Sequence, residues 1–194
     1  MALRRLIWRS AIGLIVFVLL LMAGVWVIAR HRRADIGEGQ THQSIVIGSS
    51  SFGNDEKIPT RFTCKGGNVS PEVHWGTLPD ATKSLALVME DTDAPFGFVH
   101  WLVYNIPGEA SDLQESASSQ GHLPLGAVEG VNSLNTAGYF GPCPPSGTHH
   151  YVFRVYALDA DLALAPGRTK KELAAGVRGH VLAEGQMTGL YGRE

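Results

Sequence analysis

Acidic residues are missing from the first 33 positions of this 194-residue chain, and cysteine is scarce throughout, with Cys64 and Cys143 the only two. In an oxidising compartment the two could pair as a disulfide, but their spacing fixes neither that nor any metal site, since one pair lacks the ligand count of structural zinc. Several catalytic signatures are absent too: no HExxH, no GxSxG elbow and no GxxxxGK[ST] phosphate loop occurs. Metalloprotease, serine-hydrolase and nucleotide-triphosphatase readings therefore lose their usual support. From Ser44 onward ten Lys or Arg stand against sixteen Asp or Glu, a formal net charge of −6. That balance excludes the basic stripe of a nucleic-acid binder and a polybasic face for anionic lipid, and it suits plain solubility.

What the N-terminus does have is arginine. Arg4, Arg5, Arg9, Arg30, Arg32 and Arg33 flank an uncharged run from Ser10 to Ala29. As a helix rising about 1.5 Å per residue, that run is roughly 30 Å long, the thickness of a bilayer's hydrocarbon core. We read residues 1–33 as a tail with one membrane anchor spanning about 10–29, residues 34–43 as a small, polar linker, and 44–194 as a single domain. A cleaved signal peptide is the competing reading, but its apolar region would run only about 7 to 15 residues. The run also ends without a clear Ala-x-Ala or a cysteine for lipidation. Three arginines on each side leave the positive-inside rule nearly tied, and the free amino terminus tips the domain towards the outside of the cytoplasm.

Beyond the linker come short β-like runs at 44–47, 72–75, 84–90, 99–106, 151–158 and 187–191, and all ten prolines fall between Pro59 and Pro166. The domain reads as mainly β. Residues 84–90 (SLALVME) and 99–106 (VHWLVYNI) are apolar on both faces, as central strands covered on both sides should be. Thr169 and Glu172 fit a capping box ahead of Leu173, Val177 and Val181, which predicts one helix from about Lys170. Gly179 and Gly185 weaken its far end, where a return to strand is expected. Residues 108–138 lack a strong period, and a loop of that length in a compact domain is often functional.

Two Pro/Gly-stiffened loops carry the ionisable groups: DTDAPFGFVHW (Asp91 to Trp101) and GYFGPCPPSGTHHY (Gly138 to Tyr151). Rigid scaffolds display binding groups at such strand mouths. A tight connection between antiparallel strands makes Asp91 and His100 expected neighbours, either as a functional pair or as a structural one that stabilises the loop. Strand parity puts His149 with Tyr151 and turns His150 the other way. Asp93 is expected to cap local backbone amides, and Pro95, Pro142, Pro144 and Pro145 stiffen the backbone. His100, His149, Tyr151 and an aspartate could hold a small anion through directed hydrogen bonds. A metal on His100, His149 and a carboxylate lacks any tight ligand spacing and ranks below the anion. An enzyme reading, hydrolase or transferase, would use Cys143 as nucleophile with His149 as base; the proline-bound GPCPP context argues against a lowered thiol pKa.

These segments, with FTCKGGNVSPEVHW (Phe62 to Trp75), NIP (Asn105 to Pro107), the continuation YVFRVYALD to Asp159 and GHVLAEGQMTGLYGR (Gly179 to Arg193), resemble the phosphatidylethanolamine-binding protein family, specifically its bacterial Raf kinase inhibitor-like branch. The resemblance implies a β-sandwich with a large central sheet, few helices and an anion pocket at one end. By motif position the pocket would use Asp91, Asp93, His100, Pro145, His149 and Tyr151, with no cofactor and no metal. It further implies binding of phosphate or a phospholipid head group, or inhibition of a kinase or protease, none of which needs turnover. Two departures stand out: Thr92 replaces the proline of the family's DPDAP, and HHY replaces HRY, so that His150 stands where an arginine often sits.

Overall fold

A computed structural model describes Ile36 and residues 43–118 and 121–192. The expected membrane span and most of the linker lie outside the described residues. Among the described residues no helix is long and apolar enough to cross a membrane.

The strands are β1 (Gln43–Ser44), β2 (Ile47–Gly48), β3 (Glu56–Lys57), β4 (Val73–Trp75), β5 (Ser84–Asp91), β6 (Phe98–Pro107), β7 (Asp112–Leu113), β8 (Val128–Glu129), β9 (Thr148–Leu158) and β10 (Val181–Gly192). One helix, α1 (Lys170–Gly176), precedes the last of them. The large sheet runs β1-β10-β9-β5-β6-β8, with β3 also on β10, and a small sheet runs β2-β4-β7. All long-strand pairs are antiparallel; β1 and β3 lie parallel to β10.

Alternation along the central strands decides the layers. Leu85, Leu87 and Met89 of β5, Trp101 and Val103 of β6, and Tyr151, Phe153 and Val155 of β9 enter one core, closed by Val73, Trp75 and Leu113 of the small sheet. The intervening residues Ala86, Val88, Leu102, Tyr104, Tyr156 and Leu158 form a second core under Leu173 and Val177 at the helix. This is a sandwich whose central strands are apolar on both faces because both faces are covered. Helix α1 starts with the expected capping box: the Thr169 side chain accepts from Glu172 N, and the Glu172 carboxylate accepts from Thr169 N at 2.9 Å.

Two expectations need correction. The run 44–47 is not one strand: β1 pairs with β10 and β2 with β4, so the chain passes from one sheet to the other between them. The final strand spans Val181–Gly192 rather than 187–191, because β9 offers it a partner along its whole length. Within 108–138 the described residues hold only the two-residue strands β7 and β8. The NIP motif has a structural role. Asn105 takes a left-handed φ of 53° where β5 and β6 slip register, and its amide side chain bonds both Leu162 N (2.9 Å) and Leu162 O (3.0 Å).

Candidate functional site

The site lies at the ends of β5, β6 and β9, on the face of the large sheet that looks into the first core. Asp91 closes β5 and stands opposite both Phe98 of β6 and Tyr151 of β9. Two positions before Tyr151, His149 shares its face. On β6 the pairs Met89/Trp101 and Glu90/Val99 leave one residue without an opposite number, and that residue is His100. It is the extra residue of a β-bulge, a device that re-aims a side chain at a sheet's end.

Each polar group is held by a specific partner. Asp91, 4% exposed, accepts from the Asp93 and Ala94 amides on Oδ1 (2.9 and 3.0 Å) and from His149 Nδ1 on Oδ2 (2.7 Å). A carbonyl can only accept, so His100 Nδ1, 2.6 Å from Phe140 O, carries its proton. The ring, 3% exposed, stacks on Phe140 and meets Tyr151 edge-on at 5.2 Å between centroids. Burial pushes its pKa down to about 4, and nearby His149 adds to this; the Phe140 carbonyl and Asp91 pull the other way. His100 is thus neutral at neutral pH and presents Nε2 as an acceptor. Tyr151 is fully buried, and its hydroxyl makes no hydrogen bond of good geometry, although the Asp91 carboxylate and the Cys143 backbone N–H lie within reach of it. Burial first, and Asp91 second, hold the phenol well above its ordinary range.

The structure therefore brings Asp91, His100, His149 and Tyr151 together, but it pairs Asp91 with His149, not with His100. The bulge is the reason: it turns His100 towards the second loop instead of across to β5. Asp93 and Asp91 also exchange the roles read from sequence. Asp91 caps the local amides, whereas Asp93 reaches across to His150, accepting from its backbone N (2.7 Å) and Nδ1 (2.8 Å). That amide, and then the ring, draw the Asp93 carboxyl below its usual range. Pro145 is exposed in the second loop. Thr92 supplies what a proline cannot, an N–H donated to His150 O at 3.1 Å, so the departure from DPDAP ties the two segments together.

Supports for the second loop come from the FTCKGGN segment, which holds the partner of Cys143 that the sequence leaves open. Cys64 and Cys143 form a disulfide with Cα atoms 5.5 Å apart. Beside it, Cys64 N donates to Pro142 O (3.2 Å), Gly141 N to Asn68 Oδ1 (2.7 Å) and Tyr139 Oη to Phe62 O (2.6 Å). A Cβ at Gly141 would strike Phe62 O, which is why this close approach needs glycine. The FTCKGGN stretch is the platform on which GYFGPC lies; its own Cys, Gly and Asn residues were the available signal. In the first loop Gly97 turns at φ 72°, where a side chain would also meet Glu90 Oε1 at 2.7 Å. Among the described residues no three His, Cys, Asp or Glu side chains are grouped to hold a metal. Chemically, the site offers an imidazole fixed by a carboxylate, a neutral imidazole acceptor and an unspent phenol.

The domain that carries these residues has known relatives. The profile of the family described as phosphatidylethanolamine-binding protein matches residues 48–192. A UPF0098 protein of Methanothermobacter thermautotrophicus is 46% identical over 144 residues, 74% of this chain and 95% of the relative. A Mycobacterium tuberculosis protein named as a candidate lipoprotein, LppC, is 38% identical over 153 residues, 77% of this chain and 73% of its own length. The crystal structure of Escherichia coli YbcL, described as a new member of the mammalian family of phosphatidylethanolamine-binding proteins, superposes with a TM-score of 0.73 at 32% identity, covering 78% of this chain and 99% of YbcL. On the profile match and these identities, the chain belongs to the phosphatidylethanolamine-binding protein family.

Proposed function

We propose that this binding protein of the family is anchored in a membrane by its N-terminal run and takes a small oxyanion, a phosphate or a phospholipid head group, in the pocket formed by Asp91, Asp93, His100, Pro145, His149 and Tyr151. The observation that carries the reading is the Tyr151 hydroxyl, buried and without a hydrogen bond of good geometry beside the Asp91–His149 pair. An unsatisfied buried hydroxyl costs about 1–3 kcal/mol, a cost that a ligand oxygen removes. With Cys143 in a disulfide, the thiolate required by the hydrolase or transferase reading is not available, which favours binding. The disulfide also suits an oxidising compartment, in line with a domain outside the cytoplasm. The candidate-lipoprotein name of one relative supports membrane association. A protein partner, kinase or protease, would meet the long 108–138 segment.

Titrating the full chain in non-ionic detergent with inorganic phosphate and with phosphoethanolamine, while following the histidine NMR signals, tests the pocket. Movement of His100 and His149 is the expected result, and no shift of either at millimolar ligand overturns it.

A further inference from the structure

Cys64 and Cys143 are the only cysteines of the chain, and their disulfide lies outside both apolar cores. Cys143 is exposed between two buried prolines, Pro142 and Pro144, and Cys64 is half-buried. Residues 65–68 of the platform and 145–148 of the second loop are exposed as well, so the bond sits on a rim open to solvent. The platform is braced without it: Gly66 N and Asn68 N donate to Thr63 O (3.0 and 3.3 Å), and Val69 N donates to Arg61 O (3.3 Å). Its grip on Tyr139, Gly141 and Pro142 also consists of hydrogen bonds that do not pass through sulfur. Beyond Pro142 the next strand pairing is that of Thr148 with Gly192, where β9 begins. The disulfide therefore governs a short stretch, 143–147, whose first residue sets its backbone beside the Tyr151 hydroxyl.

We propose that the Cys64–Cys143 bond is a reversible thiol–disulfide exchange site for a protein dithiol of the Cys-x-x-Cys class, attacked at Cys143, and that exchange loosens 143–147 while the sandwich stays folded. One thiolate of the dithiol attacks Cys143 Sγ, the bond between the two sulfurs breaks, and Cys64 leaves as a thiolate that takes a proton from water. The second thiolate of the dithiol then attacks its partner's sulfur in the mixed disulfide, and Cys143 leaves and is protonated in turn. Two electrons and two protons pass to this chain, and the dithiol ends as a disulfide. Cys143 is the sulfur attacked because its residue is the more exposed of the two, and access helps to decide such reactions. Opening empties no core, since neither cysteine belongs to one. Closing is provided for too: with Cys64 N still on Pro142 O, the two thiols stay within reach of each other and the bond re-forms. A disulfide enclosed in a core would have to wait for the chain to unfold.

The test uses the full chain in non-ionic detergent, with dithiothreitol as the first probe. Reduction should proceed at a rate proportional to dithiothreitol concentration and change by less than about twofold in urea below the unfolding transition, as exchange from the folded state does. Amide NMR signals of the reduced chain should shift at 62–68 and 139–151, while those of helix α1 and the far ends of β5 and β9 stay in place. The double variant Cys64→Ser, Cys143→Ser should keep the fold with the same loop shifts, and oxidised glutathione should restore the starting spectrum of the reduced parent. As second probe, a thioredoxin whose second active-site cysteine is replaced by serine should be caught in a mixed disulfide with Cys143. A reduction rate that climbs about fivefold or more per molar urea marks exchange through unfolding and overturns the proposal. Loss of the sheet signals on reduction, or failure of glutathione to restore them, does the same. Capture on Cys64, or no capture at all, overturns the assigned sulfur or the protein dithiol respectively.

Discussion

Two aspartate–histidine pairs sit two residues apart in the first loop and on adjacent positions of β9, Asp91 with His149 and Asp93 with His150, at 2.7 and 2.8 Å. Chemistry and distance are nearly the same. Exposure is not: the side chains are 15% and 6% exposed in the His149 pair, against 53% and 43% in the His150 pair. Strand parity causes the difference, because consecutive residues of β9 face opposite sides of the sheet. Inside, the carboxylate is shared with two loop amides at the candidate site; outside, a solvated pair closes a loop against a strand. A short contact between charged groups therefore says little about role until burial and neighbours are known.

Three measurements separate the inner pair from the outer one. Asp91→Ala removes the acceptor of His149 and of two amides in a buried setting, so we expect a loss of about 4 kcal/mol in chemical denaturation and no ligand-induced histidine shift. A loss under about 1 kcal/mol would place the inner pair with the outer one. The inner site should also register in pH. The folded-state pKa of His100, about 4, lies below its unfolded value, so the unfolded chain binds the extra proton. Its contribution is fully present above about pH 6.5 and is lost as pH falls towards 4, about 3 kcal/mol in all. Denaturant midpoints measured across that window should fall in the parent and stay flatter in His100→Gln; parallel slopes would contradict this. The smallest effect belongs to the outer pair. Asp93→Asn should change stability by no more than about 0.5 kcal/mol, as exposed pairs generally do, and a larger loss in the same assay would show that the loop depends on it.

Much of this frame can be read in the linear chain. The two-faced apolar runs at 84–90 and 99–106 specify central strands, and Thr169 with Glu172 specifies where the helix begins, because both signals are local and periodic. Parity likewise puts His149 and Tyr151 on one face. The Asp91–His100 pairing expected from the short connection fails, because one inserted residue in β6 resets the alternation and the partner of Asp91 comes from β9 instead of β6. The FTCKGGN platform is legible only as a possible cysteine pairing: its contacts to Gly141 and Pro142 span more than 70 positions, and no periodicity encodes contacts at that range.

By itself, then, the order of residues determined which strands are central, which loops carry ionisable groups and which side chains share a strand face, since these follow from a two-residue repeat and from turn chemistry. Tertiary structure alone decided that Asp91 serves His149, that His100 offers an acceptor nitrogen and that the Tyr151 hydroxyl is left without a well-formed hydrogen bond. Those outcomes depend on one bulge and on burial beneath a distant, disulfide-tied loop, and desolvation acts only once the chain has closed over the site.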